Sequence, residues 1–401
     1  MPLPDFTCHP DRVIYPMKRA KEDRGKNEWE RTTWEDAYNI IEENIGRIKK
    51  EHGPESIVVF GGTGREGGPM CGPYGMAMID IIIQEDLYDH DFVDRFCYGF
   101  EQLAERVATM PAEKAAEICG LDVEFRKRHR SMVGTHYGAS PNMLSSVVDA
   151  VKVGETKGDL EIQYELGTRL NPGTYARFAN FEEFRAEFRM GNCGMTYEEL
   201  KEKVVYQREV NYRKYETGRL RPDGQPGFNT PTGRIELYST MFRQFGEDPL
   251  PYYEEPQQSP VSTPELMDEY PFVLTTGART YAYFHSEGKQ IPLLRELNPD
   301  PLLEIHPKDA AKLGIADGEW VNVENQFGKC ELKARVVPVV KPGVVHAQHG
   351  FWFPEEDGEE PHLFGVWRSN INELVPHKNV GKLGFGAPFK CLICKVEKIA
   401  K

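Results

Sequence analysis

Tyr270 to Arg295 reads YPFVLTTGARTYAYFHSEGKQIPLLR. Its opening, Phe272-Val273-Leu274-Thr275-Thr276, is apolar and β-branched and stops at a glycine, the pattern of a strand. Gly277, Arg279, His285, Ser286 and Lys289 follow directly. That set offers a close backbone approach, a planar cation, an imidazole and a hydroxyl, which together suit a large, anionic, heteroaromatic ligand. The same composition also describes a solvated connection, and the stretch by itself does not choose between the two.

Working outward, the pattern predicts strands at 271–276, 302–306, 319–324, 329–338 and 344–349, and KCLICKV near the end reads as another. PKDAAKLGIADG is a short helix with a glycine stop and an Asp-Gly turn, and Gln326-Phe327-Gly328 and Lys341-Pro342-Gly343 turn the chain again. Many short strands with one small helix indicate a closed or half-closed β-barrel. Beyond it, HGFWFPEED and LFGVWRSNINELVP carry His349, Gly350, Trp367, Arg368, Ser369, Asn370 and Asn372, side chains suited to recognising a heterocycle edge. The proline-rich LPYYEEPQQSPVSTPEL upstream places a boundary near 266.

At the other end, Thr33-Trp34-Glu35-Asp36 looks like a capping box. It opens a helix with Ala37, Ile40, Ile41, Ile45 and Ile48 at helical spacing, ended by Gly53-Pro54. Ser56 to Phe60 reads as a buried strand running into GGTGREGGPMCGPYG. Gly62, Gly64 and Gly67 fit G-x-G-x-x-G, but Pro69 and Pro73 interrupt the helix start and no strand ending in an acid follows about 20 residues on, so a nicotinamide site is disfavoured. A glycine-rich strand-end loop approaching some other phosphate remains, with Gly62, Thr63, Gly64 and Arg65 as candidate cofactor contacts. In the middle, GTHYGASPNML offers His136 as a ligand or proton donor, although a hydrogen-bonded loop histidine is the commoner case. FEEFRAEFR and YEELKEKVVYQREVNYRKYE read as charged, solvated helices. The expected organisation is an α/β region over 1–120, a mixed helical middle and linker over 121–265, and the barrel over 266–401.

Across all 401 residues, 49 basic against 63 acidic side chains leave a net charge of −14, which argues against a general nucleic-acid or membrane-surface binder while allowing a local basic pocket. Eight cysteines form no dense framework, and the lone C-x-x-C at Cys391 and Cys394 is missing the second pair of a structural zinc site. No apolar run is long enough to span a membrane. The chain as it stands is expected in the cytoplasm; an upstream export signal, lost with a missing start, is the alternative.

Four blocks carry a family resemblance: HPDRVIYPMKR with WERTTWEDA; GPESIVVFGGTGR; IIIQEDLYDHDFVDRFCYGFEQLAERV; and GFNTPTGRIELYS running on through the barrel to NINELVP and GAPFKCLICKV. In these, and in their order, the chain resembles the molybdopterin-dependent oxidoreductases of the dimethyl sulfoxide reductase superfamily, in the branch of acetylene hydratase, transhydroxylase and catechol dehydroxylases. The resemblance implies α/β N-terminal and middle regions plus a C-terminal six-stranded, double-psi-like β-barrel that covers part of the cofactor. It implies molybdenum or tungsten held by two pterin-guanine dinucleotides, a small and in some members aromatic substrate, and an iron–sulfur electron-transfer partner. On that carry-over Thr276, Gly277, Arg279, His285, Ser286, Gln348, His349, Gly350, Asn370 and Asn372 contact a pterin or its phosphates.

The departures are as informative. Family members are longer and usually open with a cysteine motif for an iron–sulfur cluster; Cys8 alone cannot hold one, so no cluster is expected in this chain. A segment that usually supplies the protein ligand to the metal is also absent after the glycine loop, and that ligand is left unassigned. Two readings follow. One is a redox or hydroxyl-transfer enzyme with His136 moving the proton, and the other is a non-catalytic, shortened derivative that retains the dinucleotide-binding barrel.

Overall fold

Alternation of apolar and polar residues in the last third closes into a barrel. The computed structural model describes residues 3–58, 73–119, 143–146, 152–188, 190, 193–207, 211–278, 280–377 and 391–399. Its barrel strands are β1 (Phe272–Ala278), β2 (Leu302–Ile305), β3 (Trp320–Glu324), β4 (Lys329–Val336), β5 (Val344–Gln348) and β6 (Leu392–Lys398). They run in the order β4-β2-β5-β1-β6-β3, with β3 and β4 closing the ring. β1 is parallel to β5 and β2 is parallel to β4, while the other neighbours are antiparallel. The expected closed six-stranded barrel is therefore present.

Every second residue points inward, as the pleat requires. Leu274, Leu303, Ile305, Val321, Val323, Leu332, Val345, Ala347, Leu392 and Val396 form one buried cluster, joined by Ile371 and Leu374 from the segment after β5. The cysteine pair at the start of β6 divides between two environments. Cys394 faces this core, and the Cys391 thiol donates to the Gln258 carbonyl at 3.5 Å.

The chain forms two compact units, and the barrel belongs to the one that gathers Met1–Gly53, Ala150–Leu170 and Glu255–Lys401. In this unit Thr33 caps the Trp34–His52 helix, its hydroxyl accepting from the Asp36 amide at 3.1 Å, and Gly53 closes it with φ 84°. The buried residue of that helix is Tyr38, which bonds Glu165 on the Asp159–Leu170 helix. Ile40 and Ile41, expected on its apolar side, are exposed.

The second unit is Pro54–Asp149 with Asn171–Glu254. Helices Pro73–Gln84, Phe100–Val107 and Ala112–Cys119 meet around Met76, Ala77, Leu103, Val107, Met110 and Ala115. Two sequence readings change here. The long helix expected from Tyr197 stops at Lys203: Val204 takes φ 63°, and Val205–Gln207 becomes a strand against Met143–Ser145. Two successive β-branched valines favour the extended chain over another helical turn. The strand expected over 56–60 is not seen in its described part, where Pro54–Ser56 is a 3₁₀ turn and Val58 is exposed. Among the described residues no helix is long and apolar enough to cross a membrane.

Candidate functional site

Because β1 and β5 are adjacent and parallel, the chain leaves both at the same end of the barrel. Ligands in sheets with parallel strands gather at such ends, where loops after neighbouring strands converge. Thr276 pairs with Ala347 and Ala278 with Gln348, so Gly277 is the extra residue of a bulge. Its φ of 89° is open to glycine without strain. The bulge tips the end of β1 before the polar loop begins. Thr276, one residue earlier, is buried.

Across this end the two loops interlock. His285 Nδ1 lies 2.8 Å from His349 Nε2, so one imidazole donates and the other accepts. The Trp352 indole N–H donates to the Ser286 carbonyl at 2.6 Å. Gly350 has φ 65°, and a Cβ placed there would stand 3.3 Å from the Ser286 amide nitrogen. His285 itself takes φ 53°, a left-handed turn uncommon for a residue with a side chain. The backbone is thus bent at both contact points so that the loop after β1 lies flat on the segment after β5.

The remaining expected residues fall into three groups. Gln348 is buried and its amide is committed within the fold: it donates to Asn298 Oδ1 at 3.1 Å and accepts from Asn298 Nδ2 and the Leu302 amide, each at 3.3 Å. Asn370 caps the short 3₁₀ turn Ile371–Leu374, accepting from the Asn372 amide at 3.1 Å. Asn372 is exposed on that turn, and Ser286 is exposed beside His285. Arg279, His136, Gly62, Thr63, Gly64 and Arg65 lie outside the described residues.

Lys289, named in the polar set of that stretch but not among the expected cofactor contacts, completes the site together with Tyr283, Arg295 and Phe351. Lys289, 1% exposed, donates from Nζ to the His285 carbonyl at 3.0 Å. Its ammonium stands 4.2 Å from the centre of the Tyr283 ring and 5.2 Å from that of Phe351. Burial, with a smaller push from the Arg295 guanidinium, lowers its pKa to about 8. The Tyr283 hydroxyl donates to the Asn298 carbonyl at 2.7 Å, and burial raises its pKa to about 12. The aromatic residues flanking His285 in TYAYFHSEGK were the one sequence signal for this box.

These groups suit the edges of a large polar ligand. Imidazoles, a hydroxyl and amides sit on a backbone bent to bring the chain close, the inventory that grips phosphates and heterocycles. Among the described residues no group of three His, Cys, Asp or Glu could hold a metal ion.

Comparison with known proteins agrees with that chemistry. The family model described as Molydopterin dinucleotide binding domain matches residues 272–391, which hold strands β1 to β5 and both loops, and the Molybdopterin oxidoreductase model matches 12–66. Over these two stretches the chain is similar to the molybdopterin oxidoreductases. Among curated family members, acetylene hydratase of Syntrophotalea acetylenica is 36% identical over 205 residues, covering 51% of this chain and 27% of that protein. Dopamine dehydroxylase of Eggerthella lenta is 37% identical over 188 residues, covering 41% of this chain and 18% of that protein. The matched part thus spans about a quarter or less of these relatives. A solved structure of acetylene hydratase from Pelobacter acetylenicus shares the fold with a TM-score of 0.79 at 20% identity, covering 98% of this chain and 93% of that one.

Proposed function

We propose that the barrel end formed by the loops after β1 and β5 binds a molybdopterin guanine dinucleotide, and that the chain contributes this site to an oxidoreductase acting on a small substrate. The observation that carries the reading is the His285–His349 contact, 2.8 Å across two parallel-strand ends inside the stretch matched by the dinucleotide-binding model. Residues 266–401 are the dinucleotide-binding domain on this reading. His285, His349, Ser286 and Asn372 face the phosphates or the heterocycle edge, Thr276 and Gly277 shape the strand end, and Gly350 keeps the opposing backbone close. Arg279, Gly62, Thr63, Gly64 and Arg65 are proposed contacts of the same kind.

The residues described fit the dinucleotide, and a bis-molybdopterin guanine dinucleotide carrying molybdenum or tungsten is the proposed cofactor. When bound, that centre supplies Lewis-acid and two-electron chemistry with molybdenum or tungsten. The chain's own part is to bind and orient it, with His136 as the proposed proton carrier. Reductive dehydroxylation or hydroxyl transfer on a small, aromatic substrate is the proposed class, supported by the dehydroxylase and hydratase names of the relatives. An iron–sulfur protein is the proposed electron partner.

The test is co-purification from a host that makes the pterin. Molybdenum or tungsten by elemental analysis and oxidised-pterin fluorescence are both expected, and Arg279→Ala is expected to lower pterin retention. Blank results on both measurements refute the reading. Pterin without turnover on any phenolic or alkyne substrate assigns the chain to the second reading, a dinucleotide-binding derivative that is not itself catalytic.

A further inference from the structure

We propose that Lys289 is a positioning residue of this site, its buried ammonium holding the His285 carbonyl so that the loop after β1 keeps the left-handed turn that sets His285 against His349. The meaning of that position rests on the dinucleotide reading, whereas the latch itself rests on geometry.

A lysine four residues beyond His285 reaches back to it only because the chain reverses between them. Gly288 makes the reversal possible. It has φ 84°, and a Cβ there would meet the Phe6 ring at 2.9 Å and Leu294 at 3.0 Å. With the glycine pressed into that gap, the Lys289 stem runs inward between Tyr283 and Phe351 and its nitrogen emerges under the turn. Among the described residues the charged or titratable groups that face it are Tyr283 and His285 from its own loop, Arg295 from the Pro292–Leu297 helix, and His349 and Glu355 from the segment after β5. Glu355 is spent on Arg295, at 2.8 Å. Among the described residues no carboxylate pairs with Lys289.

A buried cation with no carboxylate is costly for a fold to keep, and an apolar side chain of the same length would fill the same box. What methionine could not do is donate to the carbonyl of a residue held at φ 53°. A charge-assisted bond, roughly twice as strong as a neutral one, offsets the strain of that turn. The turn, in its place, aims an imidazole across to β5. The cation therefore acts on the ligand through His285, and touches neither ligand nor reacting atoms itself.

Hydrogen exchange at the loop amides, measured on the full chain, tests this. In Lys289→Met at pH 7 the amides of 284–288 are expected to exchange about tenfold faster, the equivalent of one charged hydrogen bond, while the barrel strands, which open with the whole fold, exchange no faster than in the wild type. In the wild type the same loop is expected to lose protection, after correction for base-catalysed exchange, as pH rises through about 8. Lys289→Met is expected to show no such step. A structural filler would give no pH step, so a loop that exchanges alike in both proteins across pH 7 to 9.5 overturns the proposal. Pterin retention is read in parallel and separates the two readings. A wild type that carries no pterin but shows the step refutes the dinucleotide site and leaves the latch standing. A wild type with pterin and no step does the reverse.

Discussion

Replacing Lys289 by methionine should make the protein more stable while loosening one loop. Burial lowers the ammonium's pKa from its ordinary 10.5 to about 8. At 1.36 kcal/mol per pH unit this difference is worth ~3 kcal/mol. The direction follows from proton binding. Below pH 8 the folded and unfolded chains both hold the proton and the full penalty of a buried charge is present. Between about pH 8 and 10.5 the unfolded chain binds a proton that the folded chain lacks, so stability rises with pH. Above 10.5 neither holds it and the penalty is gone. Methionine removes the charge at every pH, at the loss of one hydrogen bond worth ~1.5 kcal/mol or more. The variant is therefore expected to gain on the order of 1 kcal/mol at pH 7, and the gain should shrink and reverse by pH 10. Urea unfolding of the two proteins side by side at pH 7, 8.5 and 10 measures the difference, in which other titrating groups cancel. A constant difference across that range, or a variant less stable by more than ~1 kcal/mol at pH 7, refutes the assignment of an uncompensated buried cation.

Three further outcomes follow from the geometry. Gly350→Ala forces a side chain into φ 65° and against the Ser286 amide, so a loss of ~1–2 kcal/mol in thermal unfolding, with loop protection falling alongside, is expected; an unchanged melting temperature contradicts the close approach. Leu274→Ala empties a fully buried position on β1 and is expected to lower stability by ~2–5 kcal/mol in urea unfolding. Burial raises the Cys330 thiol to about 12 and pushes the Cys394 thiol up as well, while Cys8 is exposed. At pH 8 a thiol reagent should therefore modify Cys8 in the native protein and reach Cys330 and Cys394 after unfolding. Modification of Cys394 at the native rate of Cys8 would contradict a closed barrel.

Much of the barrel was legible because its signal is local. A half-buried strand writes its own period, and the alternation at Val321, Val323, Leu332 and Ala334 is visible residue by residue. The break after Lys203 was legible in principle, in the Val204-Val205 pair, but the helical charge pattern of YEELKEK was extended across it. The site was legible only as a composition. His285, Ser286, His349 and Gly350 could be named as polar residues near glycines, yet the sequence does not say that Gln348 spends its amide on Asn298, or that Asn370 serves as a cap.

The sequence by itself determined the strands, their turns and the family that TTGARTYAYFHSEG resembles, since these depend on neighbours within a few residues. The tertiary structure alone decided that β1 lies parallel to β5, bringing His285 to His349 across 64 positions of chain, and that the lysine of that stretch is buried while its serine is not. Closure of a barrel is a choice among pairings of distant segments. It is settled by how all six strands pack at once, and no local pattern carries it.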